Sequence, residues 1–203
     1  MIPRIRPYQF ILCCLIFFGS RYVYGNAAWG ERISHGLDSK GTQGTQQIQA
    51  EEEKIEAAFI WQFLQFIEFP ALSLQEAFVV GFIGTSRVEN FLLDITRQKR
   101  LADGRAIEVR HVNNLDEIAR CQVIFVAPTE NSKLTQILSK TRGRNILTIG
   151  RDNDFLLRGG MMNFYIENTK VRFEYNTEEM SASKLRSSSQ LLRHGRQYSK
   201  AKE

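Results

Sequence analysis

The sequence predicts an α/β protein: a single three-layer domain with a largely parallel sheet and a C-terminal antiparallel hairpin. Three observations carry this reading. Short apolar runs alternate with amphipathic segments from residue 78 to residue 150, the pattern of right-handed crossovers between parallel strands. Two β-rich runs near the C-terminus are separated by only three residues, Asn168-Thr169-Lys170, a spacing suited to a hairpin. One long apolar helix precedes them all. With 203 residues and 43% hydrophobic content, the chain fits one domain with flexible ends, not a multi-domain enzyme or a multi-span transporter.

Residues 1–25 have the parts of a secretory signal. Arg4 and Arg6 are followed by the apolar run from Phe10 to Phe18, and Val23-Tyr24-Gly25 offers a cleavage site before Asn26. The run is too short to anchor stably, since a bilayer core of roughly 30 Å needs about 20 helical residues. A periplasmic protein, released by cleavage, is expected; retention of the segment as an anchor is the alternative. Residues 26–49 are rich in Gly, Thr, Gln and Ser without apolar periodicity, and are expected to be a flexible linker.

From Ala50 to Phe69 a helix is expected. Ile55, Phe59, Phe63 and Ile67 recur every four residues, and Ala58, Trp61, Leu64 and Phe66 widen the apolar face. Glu51, Glu52 and Glu53 favour its first turn, and Pro70 ends it. Such a helix has more apolar surface than one sheet can cover. A second cover, such as a second copy of the chain, is therefore expected, with Trp61 on the candidate interface.

Phe78 to Gly84 reads as a strand buried on both faces. Ser86-x-x-Glu89 is a capping box opening a helix through about Gln98. Ile107–Val112, Val123–Ala127 and Ile146–Gly150 are further strands. Asn114-x-x-Glu117 caps a short helix, and residues 130–141 are helical with Leu134, Ile137 and Leu138 inward. Met162–Glu167 and Val171–Asn176 form the hairpin. Asn176-x-x-Glu179 opens a last helix carrying Leu185, Leu191 and Leu192. The domain is placed at 50–195 and a basic disordered tail at 196–203.

The formal charge of +5 belongs to the ends. Residues 1–25 hold three bases and no acid, and residues 184–203 have a net of +5, leaving the body from 26 to 183 at −3. Nucleic-acid binding needs a basic face on the domain itself, so that class of partner is excluded. Cys13 and Cys14 fall in the signal, so Cys121 alone remains and no intrachain disulfide is available. At the start of an apolar strand it reads as a buried, inert thiol.

Reactive motifs are scarce. Gly81-Phe82-Ile83-Gly84-Thr85-Ser86 lacks both the G-x-G-x-x-G spacing and a P-loop lysine, so a tight turn with a Ser cap is the preferred reading. His35, His111 and His194 are scattered, with no hydrolytic triad or paired metal ligands around them. Asp152-Asn153-Asp154 lacks the ligands of a calcium loop and reads as a solvated turn. No catalytic residue, metal or cofactor is expected. Gly159-Gly160-Met161-Met162-Asn163-Phe164 is the least generic string, since paired glycines permit positive φ or a close backbone approach. It reads equally as a bulged start of a strand or as a recognition site. Asn163, Glu167, Arg172, Glu174 and Asn176 add polar groups to the two hairpin strands.

Three stretches together resemble the YfiR family of periplasmic regulators. The first runs from Glu56-Ala57-Ala58-Phe59-Ile60 through Phe63 to Phe66-Ile67-Glu68-Phe69-Pro70. It is similar to the family's A-A-F-x-x-x-F-x-x-F-x-E-W-P helix. The second is Cys121-Gln122-Val123-Ile124-Phe125-Val126 with the later Ile146-Leu147-Thr148-Ile149. The third is Gly159 to Phe164 with Val171-Arg172-Phe173-Glu174-Tyr175-Asn176, closing with Ser188 to Leu192. Departures are Phe69 for the usual Trp, Glu56 for a common Lys, Tyr175 for an aliphatic residue, and Ser183-Lys184-Leu185 for a glycine-leucine turn. The resemblance implies a non-catalytic repressor that binds the sensor region of an inner-membrane diguanylate cyclase and lowers cyclic di-GMP synthesis. Gly159, Gly160, Asn163, Glu167 and Arg172, with Trp61, are the candidate partner-binding residues. A periplasmic binder of a small ligand at the strand C-termini is the alternative.

Overall fold

Phe78–Ile83 (β2) is an inner strand of the sheet, with every residue buried. The computed structural model describes residues 39–69 and 77–199. The expected signal, the first part of the linker with His35, Pro70 and the last residues of the tail lie outside them. Ile107–His111 (β3) and Val123–Val126 (β4) flank β2 in parallel. Leu147–Gly150 (β5) follows β4, and Met162–Glu167 (β6) follows β5, again in parallel. Lys170–Tyr175 (β7) turns back antiparallel on β6. The seven-stranded order is β3-β2-β4-β5-β6-β7-β9, where β9 is Arg196–Gln197.

Helices cover the sheet from both sides. One face meets the helix Ser39–Phe66 (α1) and the helix Val88–Thr96 (α2), which share a core with Phe78, Val80, Phe82, Phe164 and Phe173. Phe59 and Phe63 meet Phe164 by stacking or tilting and Phe173 edge-on, with ring centroids 5.0 to 6.1 Å apart, a spacing favourable to aromatic pairs. The other face meets Leu134–Thr141 (α3) through Leu134, Ile137 and Leu138, together with Ile118, Cys121 and Phe155. Alternation along β2 and β4 assigns their residues to the two cores. The fold class read from the sequence is thus the observed one.

Several expected boundaries are corrected. Residues 39–49 are not linker: α1 begins at Ser39 and ends at Phe66. Gln and Ala are good helix formers, and two glycines cost only about 1 kcal/mol each once the packed half of α1 propagates the helix. Ile67–Glu68 (β1) then leaves as a strand, pairing Arg186–Ser187 (β8). The buried stripe of α1 is also rotated. Glu53, Glu56, Ala57, Ile60, Phe63, Leu64 and Ile67 are buried, whereas Ile55 is 45% exposed. A helix wedged between sheet and α2 buries two adjoining flanks, and the four-residue rule followed only one of them.

The capping box before α2 is incomplete. Ser86 Oγ does accept from the Val88 N–H at 3.2 Å, but Glu89 turns away to His111. Its place is taken by Glu53 of α1, which accepts from Ser86 Oγ, the Arg87 N–H and Arg87 Nε. The last helix is broken into Thr177–Ala182 (α4) and Ser189–Leu192 (α5), separated by β8. Asn176 caps α4 as expected, accepting from the Glu178 and Glu179 N–H groups. Lys184, at φ 57°, then prevents the helix from continuing. Finally, Arg196–Gln197 is no disordered tail but β9, paired parallel to β7.

Candidate functional site

The hairpin β6–β7 has one covered and one open face. Met162, Phe164, Val171, Phe173 and Tyr175 are buried towards α1. Asn163, Tyr165 and Glu167 of β6, and Arg172 and Glu174 of β7, therefore project from the opposite side. On that side the side chains are linked in a row. The Asp152 N–H donates to Asn163 Oδ1 at 3.0 Å, and Asn163 Nδ2 donates to Glu174 Oε1 at 3.3 Å. Arg196 Nη2 donates to Glu174 Oε2 at 2.7 Å. The Arg196 guanidinium also lies 4.3 Å from the centroid of the Tyr165 ring, within cation–π range. A cleft of about 550 Å³ opens here, lined by Asn153, Asn163, Tyr165, Glu174, Arg196 and Tyr198 among others.

The candidate residues separate into three groups. Gly159 has φ +100°, and a Cβ on Gly160 would lie 2.2 Å from the Phe155 ring. Close packing of the loop before β6 therefore accounts for both glycines. Asn163 is 2% exposed and ties that loop to the sheet. Glu167 and Arg172 are the exposed pair, 4.0 Å apart and each about half open to solvent. Trp61 stands apart, on the helix-covered face, half-buried against the core with Lys99 Nζ 5.0 Å from its ring. Tyr165 and Arg196 were not singled out in sequence. Tyr165 could have been, being two positions from Asn163 and Glu167 on the same face.

A second cleft, of about 640 Å³, lies beyond the C-terminal ends of β2 and β3. It is lined by Gly84, Thr85, His111, Asn113, Glu130 and Lys133 among others. Parallel sheets commonly place ligands on this side. Its basic side chains already have partners: His111 Nδ1 is 3.0 Å from Glu89 Oε2, and Lys133 Nζ is 2.9 Å from Glu130 Oε2. Asp152-Asn153-Asp154 forms the expected turn, the Asp154 N–H donating to Asp152 Oδ1 at 3.0 Å. Burial pushes the Cys121 thiol up to about 11, so it stays protonated and weakly nucleophilic at neutral pH. Among the described residues, no group of three or more His, Cys, Asp or Glu is placed to hold a metal ion.

The sequence profile described as YfiR/HmsC-like matches residues 53–196. That span runs from the buried part of α1 to the first residue of β9. The chain belongs to the YfiR/HmsC-like family. The most distinctive strings of the resemblance, Gly159 to Phe164 and Val171 to Asn176, are the hairpin and the loop leading into it. No curated protein sequence matches the chain. Among solved structures it is similar to the ABC domain in complex with L-Trp from Streptococcus pneumonia, at 14% identity and a TM-score of 0.41. It is also similar to a conserved domain protein from Vibrio cholerae O1 biovar eltor, at 8% identity and a TM-score of 0.42. Each match covers 59% of this chain and 54% of the other, so the chain spans about half the length of these structures. Among the described residues, no helix is long and apolar enough to cross a membrane.

Proposed function

We propose that this chain is an exported, non-catalytic regulator that binds and represses the periplasmic sensor region of an inner-membrane diguanylate cyclase or a similar signalling protein. Membership of the YfiR/HmsC-like family over residues 53–196 carries the reading. The family's most distinctive strings coincide with the open face of β6–β7, where Glu167 and Arg172 are exposed. Such a regulator needs no reactive centre. It needs only a surface whose affinity differs between two states of its partner.

Affinity purification of the tagged chain from membranes should recover a diguanylate cyclase or similar sensor, and deletion should raise cyclic di-GMP. Recovery of no such protein, with cyclic di-GMP unchanged, removes the reading. Glu167→Lys and Arg172→Glu should weaken binding while leaving the fold intact, because both side chains are half-exposed. A second reading is a periplasmic small-molecule binder, favoured by the cleft beyond β2 and β3. Thermal-shift screening with amino acids, nucleotides and sugars tests it, and no stabilisation at millimolar concentration ends it.

A further inference from the structure

The strand β9 is a short occupant of a longer edge. β7 spans six residues, but β9 pairs only with Glu174 and Tyr175, followed by the Tyr198 N–H donating to the Tyr175 carbonyl at 2.8 Å. Along Lys170–Phe173, the outer edge of β7 has no strand partner among the described residues. Unpaired edges are templates for a further strand. The side chains around β9 define what such a strand must carry. Glu174 is largely buried, with its side chain 14% exposed, while its Arg196 partner is 57% exposed. Together the Glu174 carboxylate and the Tyr165 face form a receptacle for a planar cation. One residue earlier, a Cβ on Gly195 would lie 2.2 Å from the Phe173 ring, so the position before the arginine admits only glycine without rearrangement.

We propose that the outer edge of β7 is a strand-acceptor site for the regulated partner, and that β9 is its resident, displaceable occupant. The partner is then an extended segment that pairs parallel to β7 and presents a glycine followed by an arginine. It would seat its guanidinium between Glu174 and Tyr165, as Arg196 does, and the residues before its glycine would run along the Lys170–Phe173 edge that β9 leaves open. Main-chain pairing supplies affinity in this mode, and the side-chain receptacle supplies specificity. The identity of the occupant as the partner rests on the regulatory reading above; the acceptor edge itself does not.

The test uses the purified chain and a labelled peptide copying residues 193–199. Arg196→Glu in the chain sets like charges against Glu174 and should loosen β9. The expected result is faster amide hydrogen exchange at Tyr198 and at least tenfold tighter peptide binding than by the unaltered chain. Adding Glu174→Gln, or replacing the peptide's second arginine (the copy of Arg196) by glutamate, should each reverse that gain. Release of β9 without any gain in peptide binding overturns the proposal, as does no release of β9 at all. Dimerisation of the chain that the peptide dissolves would make a second copy the occupant, and would also overturn it. A negative peptide result leaves the repression reading to its own membrane purification, so the two failures are separable.

Discussion

Glu56 should make the stability of this domain depend on pH near neutrality. The side chain is 1% exposed, and neither carboxylate oxygen makes a hydrogen bond. Arg151 Nη1 lies 3.0 Å from Oε1, an ion-pair distance without hydrogen-bond alignment, and the same guanidinium donates to Glu52 at 2.6 Å. Glu53, one turn back, faces Arg87 and Ser86. Burial lifts the Glu56 carboxyl from its ordinary 4.5 to about 7, Arg151 opposes the rise, and Glu53 and Glu52 add to it. The folded state therefore holds a proton that the unfolded chain releases between those two values. Stability contributed by this proton is fully present below pH 4.5 and is lost as pH rises through about 7. At roughly 1.4 kcal/mol for each tenfold change in proton affinity, the loss is capped at about 3 kcal/mol. Glu56→Gln removes the titration while keeping the shape. Urea unfolding of both proteins from pH 5 to pH 8 should show the variant gaining about 2 to 3 kcal/mol on the parent across that range. A difference that stays constant with pH would refute the reasoning, because it would leave Glu56 ionised throughout.

Other substitutions probe the packing. Gly160→Ala drives a Cβ into the Phe155 ring, and should cost about 1 to 3 kcal/mol in chemical denaturation. Asn176→Ala uncaps α4 at the Glu178 and Glu179 N–H groups, and should cost about 1 kcal/mol by the same measurement. Trp61→Ala removes a half-buried ring from the core beneath Lys99, and should cost about 2 kcal/mol. Sedimentation should show no change of association for that variant; a shift in oligomeric state would return Trp61 to an interface.

Much of the fold is legible because burial on both faces writes a strand as a nearly continuous apolar run. That holds for Phe78–Ile83, Val123–Val126 and Leu147–Gly150. The hairpin reads from its turn: Asn168 and Thr169 both take positive φ, as tight hairpin connections require. The first half of α1 is illegible because an exposed helix needs no apolar period. Gln47, Ile48 and Gln49 are exposed, so burial imposes none on them. Start signals were more readable than stops: Asn176 announces α4, but nothing local to Lys184 announces its left-handed backbone. The candidate surface was half legible for the same reason. Glu167 and Arg172 follow from alternation along two strands, whereas the role of Arg196 depends on the fold bringing it to Glu174, 22 residues away in sequence.

The distribution of cover over the sheet narrows where recognition can occur. α1 and α2 close one face, and α3 shares the core on the other with Val79 and Ile83 of β2 and Ile124 and Val126 of β4, leaving the β6–β7–β9 end with polar side chains outward. Asn163 and Glu174 are fixed there by hydrogen bonds from the Asp152 loop and from Arg196. Glu167 and Arg172 are free to change partners, since an exposed pair 4.0 Å apart contributes little to stability. A repressor must release its partner as well as hold it. On the proposed reading, the rigid row supplies the register of docking, the exposed pair supplies charge complementarity, and β9 competes for the same edge. The partner's affinity is then set by the difference between its strand and this short resident one. Strengthening β9 should weaken repression without touching any residue that contacts the partner.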